Sequence, residues 1–167
     1  VIQKLPVDAE IIIAVGYLEN HVRNYLALAH PTRQFTFVSV ANYEGPGSGP
    51  GTSLLACKNL LQRPFLCVTA DTLWSSTLPF DSEYDWIGVA PVAPEVSSQY
   101  CNCEINDEKV VGLLDKKSVK GPTFQAFVGI FKVQNHGLFW KSLERAQPIN
   151  NEIQLSSGLH GLVASGA

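Results

Sequence analysis

Gly45-Pro46-Gly47-Ser48-Gly49-Pro50-Gly51-Thr52 opens a stretch that runs GPGSGPGTSLLACKNLLQRPFLCVTADTLW through Trp74. It reads as a glycine-rich loop, an amphipathic helix and a buried strand. Thr52 or Ser53 is placed to cap the helix, and Leu54, Cys57 and Leu61 fall on one face. Pro64 ends it. Phe65-Leu66-Cys67-Val68 is apolar, and the strand leads to Asp71. A buried strand that stops at a carboxylate puts that group at the carboxyl edge of a parallel sheet, where open α/β sheets bind ligands. An Asp facing a loop of free backbone N–H groups suits a divalent metal bridging to phosphate oxygens. In that reading Gly51 lets the backbone approach a base, and the helix N-terminus favours anions. The plainer alternatives are a flexible linker before the helix and an Asp that merely caps the Asp71-Thr72 turn.

Three standard motifs are excluded for this loop. No Lys follows the glycines as in a Walker loop, Pro50 interrupts the spacing of a dinucleotide fingerprint, and the x-Ser-x setting of a nucleophile elbow is missing.

Working outward, residues 10–15 form a continuous apolar run ended by Gly16, as expected of a strand covered on both faces. Residues 18–29 follow with Leu18, Val22, Tyr25, Leu26 and Ala29 on one helical face and a Glu19/Arg23 i,i+4 pair outside. Pro31 closes that helix, and residues 35–40 are the next strand. The order is βαβαβ, which predicts an α/β fold: a three-layer, Rossmann-like, mostly parallel sheet flanked by helices. Later, residues 85–90 and 109–114 read as strands, residues 99–105 as a hairpin partner turning at Asn106-Asp107, and residues 123–133 as a strand around Gly129. Asn135 is expected to cap a helix carrying Leu138, Phe139, Leu143 and Ala146. A weaker last helix would carry Leu155, Leu159, Leu162 and Val163.

The 167 residues suit one domain, 1–167. A hydrophobic fraction of 46% and a charged fraction of 16% are those of a globular chain. A net charge of −3 without a basic run argues against nucleic-acid binding. The apolar runs are far shorter than the about 20 residues of a membrane span. No signal peptide is evident, and Cys57 and Cys67 at apolar positions fit a reduced, cytoplasmic protein. Cys101-Asn102-Cys103 lacks zinc-knuckle spacing. His21, His30, His136 and His160 are scattered and read as surface or capping residues. Asp115-Lys116-Lys117 directly follows a strand. It is either a solvated turn or, functionally, a phosphate and hydroxyl contact for a second substrate.

Together these segments resemble the sugar-phosphate nucleotidyltransferases, the NDP-sugar pyrophosphorylases of GT-A-like fold. Residues 11–17 resemble the family's "EIIIVVGY", Gly51-Thr52-Ser53-Leu54-Leu55 its "GTAxAL", and residues 64–73 its "PFLVLNGDTL". Residues 110–116 are similar to "VVxFxEKP", and Phe127-Val128-Gly129-Ile130-Phe131 to "ANAGIYLF". The matches follow family order over nearly the whole chain. The resemblance implies that a nucleoside triphosphate and a sugar 1-phosphate bind on one sheet edge. The sugar phosphate attacks the α-phosphorus in line, pyrophosphate leaves with Mg²⁺, and positioning and charge neutralisation supply the catalysis. It assigns Asp71 to the metal and to catalysis, Gly51 and Thr52 to the nucleotide, Asp115 and Lys116 to the sugar phosphate (Lys116 also to catalysis), and Gly129 to the sugar. The departures are specific. The opening strand with its "GGxGTRLxPLT…KP" loop and the late "WxDxGT" segment have no counterpart, so the domain is expected to be incomplete at both ends. Ala70 replaces Gly, Asp115 replaces Glu, and Cys101 follows Tyr100 where Gly is common. These changes point toward weak or absent turnover, or toward a non-catalytic binding or regulatory domain of the same fold. Strand edges left without a neighbour favour homo-oligomers. A Rossmann-like methyltransferase or dehydrogenase would need a glycine fingerprint after the first strand, which Gly16-Tyr17-Leu18 does not supply.

Overall fold

The β-branched run Ile11–Val15 (β1) and the aromatic, β-branched run Phe35–Ser39 (β2) pair in parallel, Ile11 opposite Phe35 and Val15 opposite Ser39. The computed structural model in which they are seen describes residues 1–166. The crossover between them is helix α1, Glu19–Ala29, entered through Leu18 in the left-handed conformation (φ 58°). Glu19 fastens the unit. It accepts from Arg23, four residues on, and from Ser39 Oγ (2.7 Å) at the end of β2, while the Arg23 guanidinium lies 4.4 Å over the Phe37 ring.

Helix α2, Pro50–Ala56, starts differently from the expected Thr52 or Ser53 cap. Gly49 is the N-cap and Pro50 the first helical residue, where its fixed φ and missing N–H are an advantage. Then come β3 (Phe65–Val68), β4 (Trp86–Ala90), β5 (Cys101–Asn106), β6 (Lys109–Asp115) and β7 (Phe124–Val133). The predicted hairpin is present, with β5 and β6 joined by Asp107 and Glu108, both at positive φ. Asn135 caps α3 (His136–Leu143) by accepting from Leu138 N at 3.2 Å, and α4 is Ser156–Ser165.

The sheet corrects one expectation. Among the described residues only β1–β2 is parallel; β3–β7, β4–β7, β5–β7 and β5–β6 are all antiparallel. A parallel pair needs a long, usually helical crossover. No α-helix lies between β3 and β7 in the chain, so the later strands return by loops and hairpins. The order β1-α1-β2-α2-β3 is as read from the sequence, but β3 pairs with β7 and with neither β1 nor β2. The fold is therefore α/β with a sheet in two parts, one of two strands and one of five.

The core belongs to the five-stranded part. Phe65 stacks on Trp140 (centroids 5.3 Å apart, 20° between planes) and meets Phe139 and Phe131 edge-on. All four rings are buried, and Trp140 Nε1 donates to Leu61 O (3.0 Å). Helix α4 lies so close to α3 that a methyl on Gly158 would sit 2.3 Å from the Phe139 ring.

Candidate functional site

β3 runs out at Val68, and the chain turns through Thr69-Ala70-Asp71-Thr72. Thr72 N donates to Thr69 O (3.2 Å), the two threonine hydroxyls lie 2.7 Å apart, and Thr72 Oγ1 donates to Val128 O (2.5 Å). Thr69 N donates to Gly129 O (2.9 Å). Gly129 itself has φ 79°, and a Cβ there would lie 2.4 Å from Thr69 Oγ1, so both conformation and space demand glycine. The effect is a rigid turn that buries Thr72 and leaves Asp71 exposed to solvent. The turn that carries Asp71 is thus anchored through Thr69 and Thr72 on the strand that carries Gly129. Those hydroxyls went unremarked in the sequence, although they flank Asp71 two residues before and one after.

The glycine loop is held by its own hydrogen bonds. Gly45, Gly47 and Gly49 all have positive φ, and the loop is stitched to residues 149–153. Gly47 N donates to Asn151 O (2.7 Å), Gly51 N to Ile153 O (2.8 Å), and Ile153 N to Ser48 O (2.8 Å). Gly51 is buried against Ile153 and Gln154, where a Cβ would come within 2.8 Å of both carbonyl oxygens. Thr52 Oγ1 donates to Gly47 O (2.7 Å). Packing thus accounts for the glycine at 51, and the N–H groups of Gly47 and Gly51 already have acceptors.

Asp115 is likewise engaged. Its side chain is only 8% exposed; Oδ1 accepts from Ser156 Oγ (2.5 Å) and Oδ2 lies 2.9 Å from His160 Nε2. Burial by itself would raise this carboxyl, but hydrogen bonds with His160, Ser156 and Cys101 outweigh it and hold the group below the usual carboxylate range. The neighbouring Cys101 thiol is pushed up by its hydrogen bond with Cys103, by burial and by the Asp115 charge. Such a thiol stays protonated and is a poor nucleophile. Lys116, at φ 53°, sends Nζ to Gln99 O (2.5 Å). Ser156 and His160 were not assigned to this site from sequence. They lie 41 and 45 positions from Asp115, and only their i,i+4 spacing on α4 hinted at a shared face.

Gly51 and Asp115 therefore both brace the segment from residue 149 to residue 160, whereas Asp71 and Gly129 build an exposed turn at the end of β3. No group of three or more His, Cys, Asp and Glu side chains able to hold a metal occurs among the described residues. Cys67 lies in an apolar setting; burial, and then Cys57, push its thiol up to about 12. Among the described residues no helix is long and apolar enough to cross a membrane.

No protein-family model and no curated relative matches the chain. Its structure is similar to the crystal structure of UDP-glucose pyrophosphorylase complexed with UDP-glucose, with a TM-score of 0.70 at 17% identity. The match covers 95% of this chain and 71% of that one. At this identity the likeness is one of fold.

Proposed function

We propose that this chain is the core of a nucleotidyltransferase-type domain that binds a nucleoside triphosphate and a sugar 1-phosphate at the end of β3. The reaction is transfer of the nucleotidyl group to the sugar phosphate with release of pyrophosphate. The observation that carries the reading is the Thr69–Thr72 turn. It presents Asp71 to solvent on a frame locked by Gly129, in a fold similar to a pyrophosphorylase. Asp71 is a single solvent-exposed carboxylate, the hydroxyls of Thr69 and Thr72 being spent within the turn. That donor set fits Mg²⁺, which is commonly bound by one or two carboxylates plus substrate phosphates rather than by an all-protein cage. Bound there, Mg²⁺ would neutralise phosphate charge during the displacement. Gly129 acts through the turn it packs against, fixing the frame beside which the sugar phosphate would sit, and Gly51 and Thr52 shape the loop on the nucleotide side.

A second reading, a non-catalytic binding or regulatory domain of the same fold, is favoured by a specific observation. Asp115, Lys116 and Thr52 are all committed to hydrogen bonds within the chain. Thermal-shift titration with the common nucleoside triphosphates, with and without Mg²⁺, tests the first reading beside Asp71→Ala. A base-selective, Mg²⁺-dependent rise in melting temperature that the variant loses supports the site. Isotope exchange between pyrophosphate and triphosphate then separates the readings, because binding without exchange favours the non-catalytic one. A Mg²⁺-dependent rise unchanged in Asp71→Ala would sink the assignment of Asp71.

A further inference from the structure

Helices α3 and α4 pack side by side, and the seam between them holds a hollow of about 530 Å³. The close approach of the two helices fixes it. A Cβ on Gly161 would lie 2.7 Å from Ser142 Cβ, and Ser142 Oγ donates to Ser157 O at 2.7 Å. The inner faces of the same helices bury Phe139, Trp140 and Leu159, so the hollow is preformed on the most firmly packed part of the molecule.

Its wall carries one sign of charge. Lys141 of α3 and Arg145, just past the end of that helix, line it beside Gln147, Ser157 and His160, and no Asp or Glu does. The adjoining acids are engaged elsewhere. Glu144, next to Arg145 in the chain, pairs with Lys58, and Asp115 is held by His160 and Ser156. Among the described residues neither Lys141 nor Arg145 makes an ion pair. Two cations four positions apart on a helix repel one another. Basic residues near a helix's end offset its dipole. That accounts for their place at the end of α3, but not for a hollow that both of them line and no acid does.

The donors suit an oxyanion. The planar Arg145 guanidinium can take two oxygens of one phosphate, and the Lys141 ammonium acts as a point charge beside it. The Gln147 amide and the Ser157 hydroxyl can add neutral donors. Asp115 holds His160 through Nε2 at 2.9 Å, which fixes the imidazole as a side wall. The volume lies within the about 300–1,000 Å³ of small-molecule pockets, so there is room for an organic body behind the phosphate.

We propose that this hollow binds the phosphate group of a small phosphorylated metabolite, gripped by Arg145 and Lys141. It shares no lining residue with the Asp71 turn and is independent of the nucleotide reading. Because the site spans the α3–α4 seam, its occupant braces α4, the helix whose Ser156 and His160 hold Asp115.

The test is a ¹H–¹⁵N NMR titration of the full chain with inorganic phosphate at constant ionic strength. Saturable shifts in the millimolar range are expected at the amides of Arg145, Ser157 and Gly161. Lys141→Ala and Arg145→Ala remove exposed side chains, so each should keep the thermal unfolding midpoint while affinity falls about twofold to fivefold. Arg145→Lys keeps the charge without the fork and should bind more weakly than the natural chain; Arg145→Glu should abolish the shifts. No saturable shift overturns the proposal, as do equal shifts with chloride or acetate at the same ionic strength. Shifts that survive in Arg145→Glu overturn it too, and so do shifts centred on the Gly45–Thr52 loop, which would put the phosphate on the nucleotide side instead.

Discussion

The five-stranded half and the two-stranded half have similar strand chemistry and different packing. In the first, β7 is hydrogen-bonded to three strands and covered by α3 and α4, and Phe131, Val133 and Phe139 are fully buried. In the second, β1 and β2 have only each other, and Val22, Tyr25 and Leu26 of α1 line an apolar cavity of about 1350 Å³ between the two parts of the sheet. An apolar run makes a strand locally, but it stabilises the fold only where neighbours remove it from water. A two-stranded unit alone is marginal at best.

The largest expected effect follows directly. Phe139→Ala should cost about 3–5 kcal/mol in denaturant unfolding, since it opens a hole among Phe65, Phe131 and Trp140. Ile12→Ala, facing the cavity, should fall below the roughly 2 kcal/mol that bounds buried Ile→Ala changes. Equal costs would break the comparison. Next in size, Gly129→Ala should cost about 1–3 kcal/mol, because φ 79° and the 2.4 Å approach to Thr69 Oγ1 both oppose a side chain. It should also weaken any Mg²⁺-dependent nucleotide shift by displacing the Asp71 turn; an unchanged shift would separate that turn from the site.

Asp115 offers a pH test of the closed half. Its carboxyl is lower in the folded chain than in the unfolded one, so the folded state favours the ionised form. That contribution is complete above the unfolded value of about 4 and is lost as pH falls through the folded value. Asp115→Asn should remove about 1–3 kcal/mol at neutral pH and flatten the acid limb of the stability profile. A variant with the wild-type acid limb would show that Ser156 and His160 do not hold α4 through this group.

What could be read from the sequence divides along physical lines. Ile11–Val15, α1 and the Asn135 cap depend on near neighbours in the chain, and they stand where periodicity and capping chemistry put them. The partner of β3 was not legible, because Phe65–Val68 is equally apolar whether it lies beside β1 or β7; only the absence of long crossovers decides. Thr52 lost the cap of α2 because Pro50 is the better first residue. The surroundings of Asp115 come from residues more than forty positions away, a contact no local pattern encodes. The order of the motifs pointed to a fold that the structural comparison also finds. Which Asp is exposed and which is buried depends on tertiary contacts.

The smallest effect is the most discriminating. The two-stranded half buries only a small set of side chains, Ile11, Val15, Leu26 and Val40, outside the main core, and leans on surface electrostatics. Glu19 joins Ser39 and Arg23, and Glu10 joins Arg63 across the cavity. Hydrogen bonds from Ser39 and then Arg23 hold the Glu19 carboxyl below its ordinary value, so its contribution is present above about pH 4 and fades as pH falls through the folded value. Exposed pairs of this kind are screened by salt, whereas burial of Phe139 and Trp140 is not. Raising ionic strength should therefore speed hydrogen exchange at Ile11 and Ile13, which donate within the β1–β2 pair, and leave the β7 amides near Phe131 unchanged. Glu19→Gln should reproduce the effect at low salt and cancel its salt dependence while barely moving the global midpoint. If salt shifted both halves together, they would open as one cooperative unit, and the Glu10–Arg63 bridge would couple them more tightly than an exposed pair should.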